Sequence, residues 1–196
     1  MIQRRVVCGA LLAAGGLAAC GQSKPNFQAI DVTGADYAKD FRLTDHHGQA
    51  RTLADFKGQV VVMFFGYTQC PDVCPTSLQE LMEVKRLLGG DGARVQGLFV
   101  TVDPERDTPE LLKAYMANFD PGFLALSAPA EQLATLAKDY KVYYKKVEGK
   151  TPTSYTMDHS AASYIYDPQG RLRLYSRYGS GAKAMADDIQ ALLRGA

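Results

Sequence analysis

The sequence predicts an α/β domain, with a central mixed sheet, flanking helices and an N-terminal β-hairpin. Three observations carry that prediction. Two continuous apolar runs, residues 60–65 and 95–102, have the length and the β-branched and aromatic content of strands covered on both faces. Each is followed by apolar residues at helical spacing. Near the end of the chain Asp167-Pro168-Gln169-Gly170 is a hairpin signal between two more strands, ahead of a closing helix. Strand, helix and strand followed by helices, a hairpin and a helix indicate the α/β class.

Taken in order, residues 41–43 and 51–53 flank Asp45-His46-His47-Gly48, a turn between two short strands. Lys57-Gly58 leads into the first apolar run, and Cys70-Pro71-Asp72-Val73-Cys74-Pro75 follows that run at once. Leu78, Leu81, Met82, Leu87 and Leu88 then mark a helix. Pro75 disfavours helical geometry at Cys74, so a tight loop is expected to lead into it. After the second run, Thr108-Pro109 has the form of a cap and first-turn pair, opening a helix with Leu111, Leu112, Tyr115, Met116 and Phe119 inward. Residues 127–140 carry a helical pattern, 142–147 a short strand and 148–155 a polar loop. Residues 163–166 and 172–175 form the late hairpin, and Met185, Ile189 and Leu192 face inward from the last helix. Of the tyrosines dense in this half, Tyr164 and Tyr166 alternate as in a packed sheet, alongside Tyr143, Tyr144, Tyr175 and Tyr178, some of them free for docking.

The 196 residues carry 22 Lys+Arg against 21 Asp+Glu, and 46% of them are apolar. That balance argues against a nucleic-acid partner, and the apolar content against disorder. Arg4 and Arg5 precede an apolar and glycine run over residues 6–17, long enough for a signal-peptide core and too short for the roughly 20 residues that span a bilayer. Leu17-Ala18-Ala19-Cys20 closes it and resembles the lipobox of bacterial lipoproteins, which implies lipidation of Cys20. The expected organisation is a signal peptide over 1–19, a lipid-anchored tether over 20–36 and one domain over 37–196. The implied location is the bacterial cell envelope, anchored to a membrane and facing the periplasm or extracytoplasmic side.

Cys8 is lost with a signal peptide and Cys20 is taken by lipid, so Cys70 and Cys74 remain, in a compartment that favours disulfides. They lie four apart, one more than in the thioredoxin redox motif, but between a buried strand and its helix, where a thioredoxin-like fold places its active site. A helix N-terminus favours thiolate. Two thiolates suit Cu(I) or Zn²⁺ and are too few for a complete site. Of the three histidines His159, in Met157-Asp158-His159-Ser160, is the candidate third ligand. It precedes the 163–166 strand, where a thioredoxin-like fold usually has a cis-proline and this chain has none. Asp158 could orient that ring or stabilise a turn, and Asp72 could satisfy helix amides. Asp103, Glu105 and Asp107 suit a turn and a helix start better than a hard-metal site. His46 and His47 are expected to be exposed turn residues.

Gly66-Tyr67-Thr68-Gln69-Cys70-Pro71-Asp72-Val73-Cys74-Pro75, then Val102-Asp103-Pro104-Glu105-Arg106-Asp107-Thr108-Pro109, then Asp158-His159-Ser160, together resemble the SCO/SenC family. The resemblance covers about residues 41–193. It implies a thioredoxin-like fold, copper (Cu(I) and Cu(II)) held by Cys70, Cys74 and His159, and a role in assembling the copper-A centre of cytochrome c oxidase. Many members have histidine where this chain has Gln69, a position that is not a family ligand. The implied partners are the oxidase copper-A subunit, a copper donor protein and a thiol reductant of thioredoxin type. A metallochaperone is the leading expectation. The rival is a thiol–disulfide oxidoreductase in which Cys70 attacks and Cys74 resolves.

Overall fold

A computed structural model describes residues 26–151 and 154–196. The expected signal peptide, Cys20 and the first part of the tether lie outside these residues. The elements in chain order are β1 (Ile30–Asp31), β2 (Arg42–Asp45), β3 (Ala50–Thr52), β4 (Val60–Gly66), α1 (Val73–Leu87), β5 (Val95–Thr101), α2 (Pro109–Met116), β6 (Leu124–Ser127), α3 (Ala130–Asp139), β7 (Tyr144–Val147), β8 (Thr156–His159), β9 (Ala162–Tyr166), β10 (Leu172–Arg177) and α4 (Ala182–Leu193). Eight strands form one sheet in the order β1-β10-β9-β4-β5-β6-β2-β3, while β7 and β8 pair separately. β4, β5 and β6 are parallel and their other neighbours antiparallel, so the sheet is mixed as expected.

Every residue of β4 is buried, because helices cover both faces of the sheet. Val60, Val62 and Phe64 pack with Leu78 and Leu81 of α1, Leu112 of α2 and Ile189 of α4. Val61, Met63 and Phe65 pack on the other side with Leu133 and Leu136 of α3 and with Leu43, Leu53 and Phe56 around the β2–β3 hairpin. Cys70 touches both layers, so the cysteine loop sits where they meet, beyond the carboxyl end of β4. That end of a parallel strand is where open α/β sheets place their ligands.

Five local expectations change. The 127–140 pattern splits: Ser127 ends β6, and α3 starts only at Ala130 after Pro129. β6 is four residues long, too short for its period to stand out beside a helix. Cys74 and Pro75 are helical, not loop, since α1 starts at Val73. First-turn amides have no intrahelical partner, so proline at the third helical position costs no bond. Met82, Leu87 and Leu111 are exposed, and Val84 takes the buried place on α1. His46 is buried rather than exposed: its Nδ1 accepts the Ala125 amide at 3.0 Å, while its own amide donates to the Ala125 carbonyl. Residues 28–31, read as tether, lie on the body. The Gln28 and Ala29 amides donate to the Asp188 carboxylate of α4 at 2.8 Å each, and β1 pairs with β10. No helix among the described residues is long and apolar enough to cross a membrane.

Candidate metal centre

The cysteine loop is held from below and from one side. Gly66 ends β4 where a Cβ would lie 2.7 Å from both Cys74 Sγ and the Phe99 ring, so only glycine lets α1 begin this close to the strand. Two residues on, the Thr68 amide and hydroxyl donate to the Asp107 carboxylate at 3.1 and 2.6 Å. The Thr101 hydroxyl at the end of β5 donates to the same carboxylate at 2.6 Å. Burial raises the Asp107 carboxyl above its ordinary range despite those bonds. Asp107 therefore ties the approach to Cys70 onto the neighbouring strand.

The start of α1 aims an amide at sulfur. The Cys74 N–H donates to Cys70 Sγ at 3.4 Å. Asp72 is the N-cap residue, yet its carboxylate takes the Thr76 hydroxyl at 3.2 Å and no helix amide. The reason is local: Pro75 has no N–H to offer, and the Cys74 amide already points at Cys70. Cys74 is fully buried and Cys70 half-buried.

His159 arrives from the other side, at the end of β8 and opposite Tyr144 of β7. Its Nε2 lies 3.5 Å from Cys74 Sγ, and its Nδ1 lies 3.1 Å from the Ser160 carbonyl. A carbonyl only accepts, so Nδ1 carries the hydrogen and the neutral ring turns its Nε2 lone pair towards the sulfurs. Tyr67 packs edge-on to the ring at 5.9 Å. Asp158 is exposed beside it, and Ser160 rather than Asp158 orients the imidazole. Cys70, Cys74 and His159 present ligand atoms all within 4.8 Å of one another, the one such group of His, Cys, Asp and Glu among the described residues.

Their protonation follows from that geometry. The Cys74 thiol beside Cys70 holds the Cys70 thiol down at about 4, against the upward push of burial. The same hydrogen bond, together with burial, pushes Cys74 up. The two thiols titrate as a coupled pair, with Cys70 the easier to ionise. Burial pulls the His159 imidazole down, but Cys70 and the Ser160 carbonyl outweigh it and the net shift is upward. A cleft of about 240 Å³, lined by Tyr67, Cys70, Pro71, Asp158 and His159 among others, opens the group to solvent. Asp103 and Glu105 join no ligand cluster. Asp103 accepts from the Tyr155 hydroxyl and from Arg106, and Glu105 pairs with Lys146.

A family model described as SCO1/SenC matches residues 31–194. The chain belongs to the SCO1/SenC family. The mitochondrial SCO2 homolog of Bos taurus is 40% identical over 153 residues, 77% of this chain and 58% of that protein. The chain thus spans under three fifths of that relative's length. An SCO2-like protein of Rickettsia felis is 34% identical over 152 residues, 77% of this chain and 74% of the relative. The structure of Bradyrhizobium japonicum ScoI with copper bound superimposes with a TM-score of 0.71 at 43% identity, covering 78% of this chain and 97% of that one. These matches bear out the thioredoxin-like α/β fold class. Within this SCO1/SenC member, Gly66, Asp107, Arg106 and Tyr155 support the site without standing out as site residues in the sequence. Arg106 and Asp107 do lie in one of the three motifs that mark the family, which is the signal that pointed to them.

Proposed function

We propose that this SCO1/SenC protein is a copper metallochaperone in which the Cys70 and Cys74 thiolates and the His159 imidazole hold one copper ion. The observation that carries this reading is the convergence of two sulfurs and one imidazole nitrogen within 4.8 Å on a fold otherwise closed by apolar layers. Two thiolates and an imidazole are a soft donor set that suits Cu(I) and also holds Cu(II). Copper bound to another member of similar sequence, the Bradyrhizobium protein, supports the assignment.

The geometry suits transfer. Cys70 and His159 border the cleft and Cys74 lies beneath them, so an acceptor's ligands reach copper from the open side and displace the chain's ligands one at a time. Copper uptake takes a proton from the Cys74 thiol, while Cys70 is already ionised near neutral pH. A Cys70–Cys74 disulfide would remove two of the three ligands, so loading requires a thiol reductant of thioredoxin type, and a copper donor protein supplies the ion. In this reading the acceptor is the copper-A subunit of cytochrome c oxidase. Lipid on Cys20 holds the domain at a membrane on the extracytoplasmic side, and mass spectrometry of the mature N-terminus tests that anchor.

The half-buried, readily ionised Cys70 at the cleft, above a buried Cys74, also favours a second reading, reduction of an acceptor disulfide. Cys70 thiolate attacks one acceptor sulfur and releases the other as thiolate. Cys74, giving up its proton, then attacks Cys70 Sγ and frees the second acceptor thiol. Two electrons reach the acceptor, leaving a Cys70–Cys74 disulfide. Titration of the reduced chain with Cu(I) against a competing chelator separates the two. One tight equivalent lost in both His159→Ala and Cys70→Ser/Cys74→Ser establishes the three-ligand site. Binding that needs the cysteines and ignores His159 leaves a reductase.

A further inference from the structure

The strand that carries His159 lies outside the main sheet that carries the cysteine loop. β8 pairs with β7 in a sheet of two strands, apart from the eight-stranded one, and such a ribbon is marginal by itself. Arg106, in the turn after β5, reaches across. Its Nη1 donates to the Gln69 side-chain oxygen at 3.1 Å and to the Tyr155 carbonyl at 2.8 Å. Its Nε donates to the Asp103 carboxylate at 2.5 Å, and the Tyr155 hydroxyl donates to the other oxygen of that carboxylate at 2.8 Å. The guanidinium carbon lies 3.5 Å from the centre of the Tyr155 ring and 5.8 Å from that of Tyr67. Gln69 adjoins Cys70, Tyr155 adjoins β8, and Tyr67 packs on the His159 ring. The Arg106 side chain is only 15% exposed and its Nη2 is buried without an acceptor, which costs desolvation.

We propose that Arg106, locked by Asp103 and Tyr155, is a positioning residue for the metal centre: it sets the span between the cysteine loop and the His159 strand. It thereby decides whether copper is held by three ligands or by two, an inference that rests on the three-ligand reading above. A planar fork is required. Lysine keeps the charge but has no flat face to stack on Tyr155, and its single ammonium cannot meet Asp103, Gln69 and the Tyr155 carbonyl in one plane.

The test uses the full chain as wild type, Arg106→Lys and Tyr155→Phe, each with and without His159→Ala. Without metal, at alkaline pH where the ring is neutral, nitrogen NMR of His159 in the wild type shows one tautomer, with hydrogen on Nδ1. Arg106→Lys mixes the tautomers. With metal, Arg106→Lys lowers Cu(I) affinity about 10–100-fold, weakens imidazole nitrogen coupling in the Cu(II) electron paramagnetic resonance spectrum, and has no further effect once His159 is alanine. Equal losses in both backgrounds, or an unchanged ring and affinity, overturn the proposal. If His159→Ala alone leaves affinity intact, the three-ligand reading fails, and the ring state still decides whether Arg106 places His159. Should Arg106→Lys fold poorly, Tyr155→Phe, which removes only the hydroxyl bond to Asp103, carries the same comparisons with smaller shifts.

Discussion

Between Cys70 and Cys74 one proton is shared unequally, because Cys70 meets the cleft and the Cys74 amide while Cys74 is sealed against Phe99 and Gly66. Alkylation of the metal-free, reduced chain by iodoacetamide is therefore expected at Cys70 alone. Its rate should stay flat from neutral pH down to about 5 and fall below about 4, as peptide mapping at each pH would show. Copper affinity should weaken as pH falls, by about one decade per pH unit while only Cys74 must lose a proton. The slope steepens towards two once His159 is also protonated, a change that begins above the ordinary imidazole value because that pKa is raised. Chelator competition at several pH values reads both slopes. Gly66→Ala should cost about 1–3 kcal/mol of stability and weaken copper binding, since its methyl group would press on Cys74 Sγ. The two cysteines and His159 were legible as reactive residue types in suggestive places. Gly66 was not, because its role is the absence of a side chain where three elements meet.

The first turn of α1 and the turn before α2 do different work with similar sequences. At α2 the Thr108 hydroxyl accepts the Leu111 amide at 3.3 Å and Pro109 opens the helix, as the Thr-Pro pair predicts. At α1 a proline also enters the first turn, and there the Cys74 amide, which has no partner within the helix, donates to Cys70. Asp107 links the two regions. Asp107→Ala strands the donors of Thr68 and Thr101, and should cost about 2 kcal/mol, read as a lower denaturant midpoint at unchanged slope. Copper affinity should fall with it as the Cys70 loop loosens. Long apolar strands and periodic helices were readable from the chain alone. β6 and β8 were not: each has four residues, too few for an alternation to mark a strand.

The sheet separates two apolar layers, and the metal centre lies at their common edge, joined to one through Cys74 and to the other through Tyr67 and Met157. Binding there should stabilise the whole domain. Free Cu(I) at about a thousand times its dissociation constant adds roughly 4 kcal/mol, or about 8–16 °C in Tm for a domain of this size. Calorimetry of the reduced chain should show that rise, and neither His159→Ala nor Cys70→Ser/Cys74→Ser should show it in full. The segment before β1 belongs to the same unit, since the Asp188 carboxylate of α4 holds the Gln28 and Ala29 amides. Its polar composition reads as a tether because two backbone bonds to a distant carboxylate leave no local pattern.

By itself the sequence determined the α/β class, the order of the long elements, the pairing of Cys70 with Cys74 and the choice of His159. The first three rest on short-range features, namely apolar period, turn residues and the donor chemistry of single side chains, and the choice of His159 rests also on the family resemblance of the three motifs. Tertiary structure alone decided that His46 is buried, that Cys74 is helical, that Ser160 rather than Asp158 orients the imidazole, and that Arg106 joins the cysteine loop to the His159 strand. Each depends on groups far apart in sequence meeting at hydrogen-bond distance. A one-dimensional pattern does not encode such distances; the packing of the two layers does.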